Sequence, residues 1–116
     1  MGRRTRSDNA PALLPGTLDM LILQILTEGA LHGYGIASRI REQSADVLHV
    51  EEGSLYPALR RLQVKGQVRS KWRLTPTKRR ARYYELTAVG RRGLADEVSQ
   101  YERIIAGIAR VLGTAT

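Results

Sequence analysis

The chain has 116 residues, 42% of them hydrophobic and 26% charged, with no cysteine, so one domain with its own core is expected, while disulfide scaffolds, thiolate metal sites and cysteine nucleophiles are excluded. Nineteen lysines and arginines against eleven acidic residues give a net charge of +8, which points to a polyanionic partner, nucleic acid before an acidic membrane. The basic start runs into Ser7, Asp8 and Asn9 instead of an apolar signal core, and no apolar stretch approaches ~18 residues, so a cytoplasmic protein is expected.

Residues 1–16 hold Gly2, Pro11, Pro15 and Gly16 with three arginines and read as a flexible basic arm. A first helix starts from Thr17 as cap, with Leu18, Leu21, Ile22, Ile25 and Leu26 at helical spacing and Gly29 as its stop. A second covers about residues 33–43, with Ile36, Ala37 and Ile40 on its buried face. Residues 47–50 are short and apolar around His49 and are read as a strand stub or extended lead-in. A third helix is expected over residues 55–65, with Ser54 as N-cap, Pro57 in the first turn and Gly66 as stop. Leu55, Ala58, Leu59 and Leu62 form its inner stripe, which leaves Ser54, Tyr56, Pro57, Arg60, Arg61 and Lys65 on open faces.

After Gly66 the period changes to two. Val68, Ser70, Trp72 and Leu74 alternate with Arg69, Lys71 and Arg73, as in a strand with one face toward the core. A second strand returns over residues 82–86, with Tyr84 and Leu86 on one face and Tyr83 on the other, and Lys78, Arg79 and Arg80 occupy the tip. The last helix starts behind Thr87 as cap and runs to about Leu112, with Gly90 and Gly93 weakening its first turns. Leu94, Val98, Tyr101, Ile105, Ile108 and Leu112 follow one another at separations of 4, 3, 4, 3 and 4, a heptad seam widened by Ile104 and Val111. One small domain does not need so wide a stripe, so pairing with the same helix of a second chain is expected.

Between Glu52 and Glu85 there is no acidic residue and there are ten basic ones, so the whole positive excess lies in one third of the chain. Three helices followed by a two-stranded basic hairpin is the order of a winged helix–turn–helix: residues 17–87 form that domain and residues 88–116 a dimerisation helix. The third helix then enters the major groove of double-stranded DNA. Arg60 and Arg61 are expected as its guanidinium forks, Ser54 and the helix N-terminus as a phosphate holder, and the wing as a contact along the phosphates or an adjacent groove.

The runs Leu14-Pro15-Gly16-Thr17-Leu18-Asp19, Leu31-His32-Gly33-Tyr34-Gly35-Ile36-Ala37, Glu51-Glu52-Gly53-Ser54-Leu55-Tyr56-Pro57-Ala58-Leu59-Arg60-Arg61-Leu62 and Tyr83-Tyr84-Glu85-Leu86-Thr87-Ala88-Val89-Gly90 closely resemble the PadR family of bacterial transcriptional regulators. The resemblance implies a homodimer paired through the C-terminal helix and repression at a palindromic operator, relieved by a small phenolic or drug-like inducer. Carried over by position, it places Ser54, Tyr56 and Pro57 at the start of the DNA-recognition helix, Tyr34 near the DNA backbone, and Arg82 with Tyr84 on the returning wing strand. It also implies a ligand-lining role for Tyr101 at the dimer interface, beside a packing role in the seam. The sequence departs from the family at the wing tip, where Thr75-Pro76-Thr77-Lys78-Arg79-Arg80 replaces the usual Asn-Gly type of turn.

Catalysis is not expected, since His32 and His49 stand in no spaced metal cluster and Gly53-Ser54-Leu55 lacks the Gly-x-Ser-x-Gly elbow. No cofactor or membrane partner is implied. A winged-helix module for RNA or protein is the alternative. Single-stranded RNA readers display exposed aromatics, whereas most of the Tyr and Trp residues here are expected in strand or helix cores.

Overall fold

Leu18, Met20, Ile22, Leu23, Ile25 and Leu26 leave helix α1 (Thr17–Leu26) little polar surface, and it becomes the hub of the molecule. In the computed structural model, which describes residues 16–114, it packs against two further helices, the sheet and the final helix. The elements that follow are β1 (Leu31–His32), α2 (Gly33–Gln43), α3 (Glu52–Val64), β2 (Val68–Leu74), β3 (Arg80–Leu86) and α4 (Ala88–Leu112). Around α1 the core closes with Ile36 and Ile40 of α2, Leu55, Ala58, Leu59 and Leu62 of α3, Val68, Tyr84 and Leu86 of the sheet, and Leu94 of α4. Each fully buried Leu or Ile in such a cluster contributes about 1.5–3 kcal/mol relative to exposure.

The arm expected over residues 1–16 lies outside the described residues except for Gly16. Gly16, at φ 85°, is the N-cap of α1 and makes no side-chain cap bond, so Thr17 is the first helical residue and not the cap. Of the two readings of residues 47–50, the strand stub does not hold. Leu31 and His32 pair antiparallel with Tyr84 and Tyr83 instead, which makes β3 the centre of a sheet ordered β1-β3-β2. A two-residue strand carries no alternation for periodicity to detect. His32 also caps α2, its Nδ1 accepting from the Gly35 N–H at 3.0 Å.

Helix α3 begins three residues earlier than the sequence suggests. Glu51 is its N-cap, and Ser54 lies inside the first turn with its own N–H donating to the Glu51 carbonyl at 2.9 Å. Pro57 therefore falls in the second turn, where it removes the bond that an N–H would make to the Gly53 carbonyl. Strand β3 begins at Arg80, two residues before its expected start. The hairpin register runs from Val68↔Leu86 through Ser70↔Tyr84 and Trp72↔Arg82 to Leu74↔Arg80. Only its inner end is buried, because seven-residue strands reach about 23 Å and overhang a core built from short helices. Val68 is 2% exposed, whereas Trp72 and Leu74 are 56% and 65% exposed, so the expected inward face of β2 holds only for its first residues.

Thr87 caps α4 as expected, its Oγ1 accepting from the Gly90 N–H at 3.0 Å. Gly90 and Gly93 are positions of close approach and not of weakness. A Cβ on Gly90 would stand 2.1 Å from the Gln67 carbonyl oxygen, and one on Gly93 would stand 2.2 Å from Gln67 Nε2. The Thr87 N–H donates to that same carbonyl at 3.1 Å, and Thr87 Oγ1 donates to the Gly66 carbonyl at 2.6 Å. The long helix is thus fastened across the α3–β2 turn.

Candidate nucleic-acid interface

The overhanging half of the hairpin stands away from the helices and leaves a groove of about 1060 Å³ between them. Its wing wall is Trp72, Arg80, Arg82 and Tyr84 with the tip residues 75–77 and Arg79; its helical wall is His32, Tyr34, Ser38 and Tyr56. Six of the expected DNA-binding residues, Tyr34, Tyr56, Arg79, Arg80, Arg82 and Tyr84, therefore share one groove, and among the described residues no carboxylate lines it. Ser54, Pro57, Arg60, Arg61 and Lys78 do not line it, although all five are exposed.

Each wall has a local cause. Gly33 opens α2 directly under Tyr56, and a Cβ there would stand 2.6 Å from the Tyr56 hydroxyl, so glycine at this position lets the phenol lie across the helix start. Tyr34 projects from the same turn and is 79% exposed. Tyr84 is buried at the groove floor, and burial pushes its phenol above the ordinary range, an effect that the Arg82 charge partly offsets. On the opposite face of the hairpin, Arg69 donates to Glu85 at 3.1 Å across the strands. That hydrogen bond, with the arginine's charge, holds the Glu85 carboxyl below its usual range. Arg73 lies 4.6 Å above the Tyr83 ring, which itself meets His32 edge to face at 5.2 Å.

The tip is ordered without an Asn-Gly pair. The Thr75 N–H donates to the Arg79 carbonyl at 2.7 Å, and the Lys78 N–H donates to the Thr75 carbonyl at 2.8 Å. Residues 76–78 thus form a three-residue hairpin loop whose last member, Lys78, takes the left-handed conformation at φ 66°. Thr75 Oγ1 braces the loop by accepting from the Arg79 N–H at 3.1 Å. Since Arg80 belongs to β3, the basic trio divides: Lys78 and Arg79 stay on the loop while Arg80 faces the groove.

Three expectations change. Arg61 is not a free guanidinium fork, because its Nη2 and Nε donate to the Asp19 carboxylate at 2.8 and 3.4 Å, a pairing that raises its pKa further. It ties α3 to α1, and among the described residues Arg60 of the same helix has no ion-pair partner. Ser54 is not placed to gather a phosphate as an N-cap, since its amide is occupied and Glu51 and Glu52 add negative charge at that helix end. Most of the aromatics are not core residues either: only Tyr84 is buried, while Tyr34, Trp72 and Tyr101 are 79%, 56% and 40% exposed, and Tyr56, expected on an open face, is 46% exposed. Trp72 was missed as a groove residue because its alternation with Arg73 and Lys71 looks the same whether or not a core lies beneath.

The seam of α4 also divides. Leu94 belongs to the core and Val98 is half-buried against it, whereas Ile104, Ile105, Ile108, Val111 and Leu112 join Tyr101 on an exposed face. Tyr101 does not line the groove. Among the described residues no helix is long and apolar enough to cross a membrane, and no cluster of His, Cys, Asp or Glu is suited to a metal ion.

Residues 22–96 match the transcriptional regulator PadR-like family. The chain is 29% identical over 87 residues to the negative transcriptional regulator PadR of Bacillus subtilis, covering 75% of this chain and 48% of that protein. It thus spans about half the length of that relative, but 84% of an uncharacterised protein of Lysinibacillus sphaericus, with 24% identity. Among solved structures, a PadR family regulator from Eggerthella lenta is 31% identical, with a TM-score of 0.72 over 85% of this chain and 84% of that one. Bacillus subtilis PadR in complex with operator DNA is 29% identical, with a TM-score of 0.63 over 72% of this chain and 47% of that one. The family match covers most of the winged helix–turn–helix and the start of α4, and the chain belongs to the PadR-like family of transcriptional regulators.

Proposed function

We propose that the chain acts as a homodimeric repressor that binds a palindromic operator in double-stranded DNA. The observation that carries this reading is the groove in which Arg79, Arg80 and Arg82 face Tyr34 and Tyr56, with no carboxylate among the described lining residues, beside the exposed face of α3. On this reading α3 enters the major groove with Arg60, Ser54 and Pro57 on its open side, and the wing follows the phosphates. The similar B. subtilis structure is a complex with operator DNA, and the relative of the same name is a negative regulator. Dimerisation rests on the apolar face of α4 from Tyr101 to Leu112, and a two-fold axis sets the half-sites about 10 bp apart. Relief by a small aromatic inducer, with Tyr101 as a lining residue, belongs to the same reading and rests on the family resemblance.

The exposed aromatics favour one second reading, the stacking of single-stranded RNA bases in the groove. The duplex reading takes precedence because the wing cations, at the end of a projecting hairpin, suit a rigid backbone.

Replacing Lys78, Arg79 and Arg80 together by Ala is expected to weaken binding to all duplex sequences. The slope of log K against log salt should fall by about one unit for each phosphate that the wing no longer neutralises. Fluorescence anisotropy with a labelled duplex from the chain's own upstream region, repeated over a salt series, gives the slope. A slope equal to that of the unaltered protein removes the wing from the interface.

A further inference from the structure

Trp72 is the only tryptophan in the chain, it is 56% exposed, and it takes no part in the hydrophobic core. The register sets it opposite Arg82 and diagonal to Arg80, on the hairpin face that forms the groove wall. The Arg80 and Arg82 guanidinium carbons lie 5.0 and 5.8 Å from the indole centroid. Arg82 Nε also donates to Ser70 Oγ at 2.9 Å, one step nearer the core. Among the described residues neither arginine has a carboxylate partner, in contrast to Arg61 and Arg69. The indole is thus, among the described residues, the partner that Arg80 stacks on, and Arg82 has the indole and Ser70.

Two guanidiniums held on an aromatic face in a groove whose described lining includes no carboxylate form a receptor for closely spaced negative charges. Arginine loses much side-chain freedom when it binds, so one already held on an aromatic face binds a phosphate at lower cost. A large aromatic ring beside arginines, open to solvent on one side, also has the composition of an energetic anchor at a binding interface. A duplex strand running along the wing brings phosphates to the guanidiniums and the apolar deoxyribose to the remaining indole surface.

We propose that Trp72 is a positioning and contact residue of the DNA interface, holding Arg80 and Arg82 toward adjacent phosphates while its open edge packs on the sugar of the bound strand. The proposal rests on the reading of the chain as a duplex-DNA binder and adds a residue that carries no charge.

The test is a double-mutant cycle read by anisotropy with the upstream duplex, joined to the intrinsic fluorescence of the single tryptophan. Trp72→Ala is expected to weaken binding about tenfold, the size of an interface anchor. The salt slope should change less than the unit or so that Arg80→Ala removes, because both arginine charges remain. The double variant should lose less than the product of the two single losses, because Arg80 without its indole is already unaligned. Trp72→Phe keeps an aromatic face and should fall between the two, and it keeps the test valid if the alanine variant does not fold. Titrating unlabelled duplex into the unaltered protein should shift or quench the tryptophan emission with the midpoint seen by anisotropy. Unchanged emission, or losses for Trp72→Ala and Arg80→Ala that multiply fully, overturns the proposal. If the triple wing variant also binds as tightly as the unaltered protein, the fault lies with the placement of the wing on DNA and not with Trp72 alone.

Discussion

Placing Glu at both Ile105 and Ile108 is expected to turn a dimer of twice the chain mass into a monomer with unchanged helix content. The two side chains are 42% and 45% exposed and lie at the centre of the apolar face formed by Tyr101, Ile104, Val111 and Leu112. Apolar faces of this kind are rare on monomers, and in the proposed dimer the same helix of a second chain covers it. Two carboxylates per helix put four charges into that seam, and a buried unpaired charge costs several kcal/mol. The substitutions do not touch the core, since the last residue of α4 within it is Leu94. Sedimentation equilibrium together with circular dichroism separates the outcomes. Persistent dimers with these substitutions place the interface elsewhere. Monomers should also lose most of their affinity for a two-half-site duplex while keeping the salt dependence of a single winged helix, since each would engage one half-site alone.

The second large effect is expected at Gly90, where the chain's own backbone leaves no room for a β-carbon. Gly90→Ala brings that carbon to 2.1 Å from the Gln67 carbonyl oxygen and 2.8 Å from Leu86 Cδ1. Backbone must move, and the same carbonyl accepts the Thr87 N–H that anchors the start of α4. A loss of about 3 kcal/mol is expected, at the upper end of what overpacking a core costs, seen as a lower denaturation midpoint. Gly93→Ala is the matched control. Its new carbon meets only the amide end of the Gln67 side chain, which can swing away, and the helix gains about 1 kcal/mol of intrinsic propensity. Equal destabilisation by the two substitutions would contradict this fastening of α4.

Most of the architecture is legible in the residues because the helices bury regular stripes and the hairpin alternates strictly. Helix α2 runs as its periodicity implies, β2 is a strand over the alternating residues although only its first residues face the core, and the Thr87 cap of α4 follows from its side chain. What the pattern hides depends on where the core ends. Strand alternation cannot tell Val68, which is buried, from Leu74, which hangs in solvent. Hence Trp72 reads as core although it lines the groove. Ser54 looks like a cap because serine favours that position, but the backbone turns helical at Glu52 and Glu51 takes the role. The pairing of Arg61 with Asp19 joins residues 42 apart and leaves no local trace. Gly90 and Gly93 look like helix breakers because propensity measures an isolated helix and not the surface it lies on.

The DNA-binding role proposed for this chain depends on its basic third, residues 53–84, reading duplex DNA through α3 and the wing. The decisive experiment is an anisotropy titration of the unaltered protein with its own upstream duplex, a scrambled duplex and single-stranded RNA of the same sequence, at several salt concentrations. Binding should be tightest to the upstream duplex and weaker to the scrambled one, with a log K that falls linearly with log salt at a slope of several units. Preference for the single-stranded RNA, or affinity for the duplex that does not change with salt, would show that the basic third does something else.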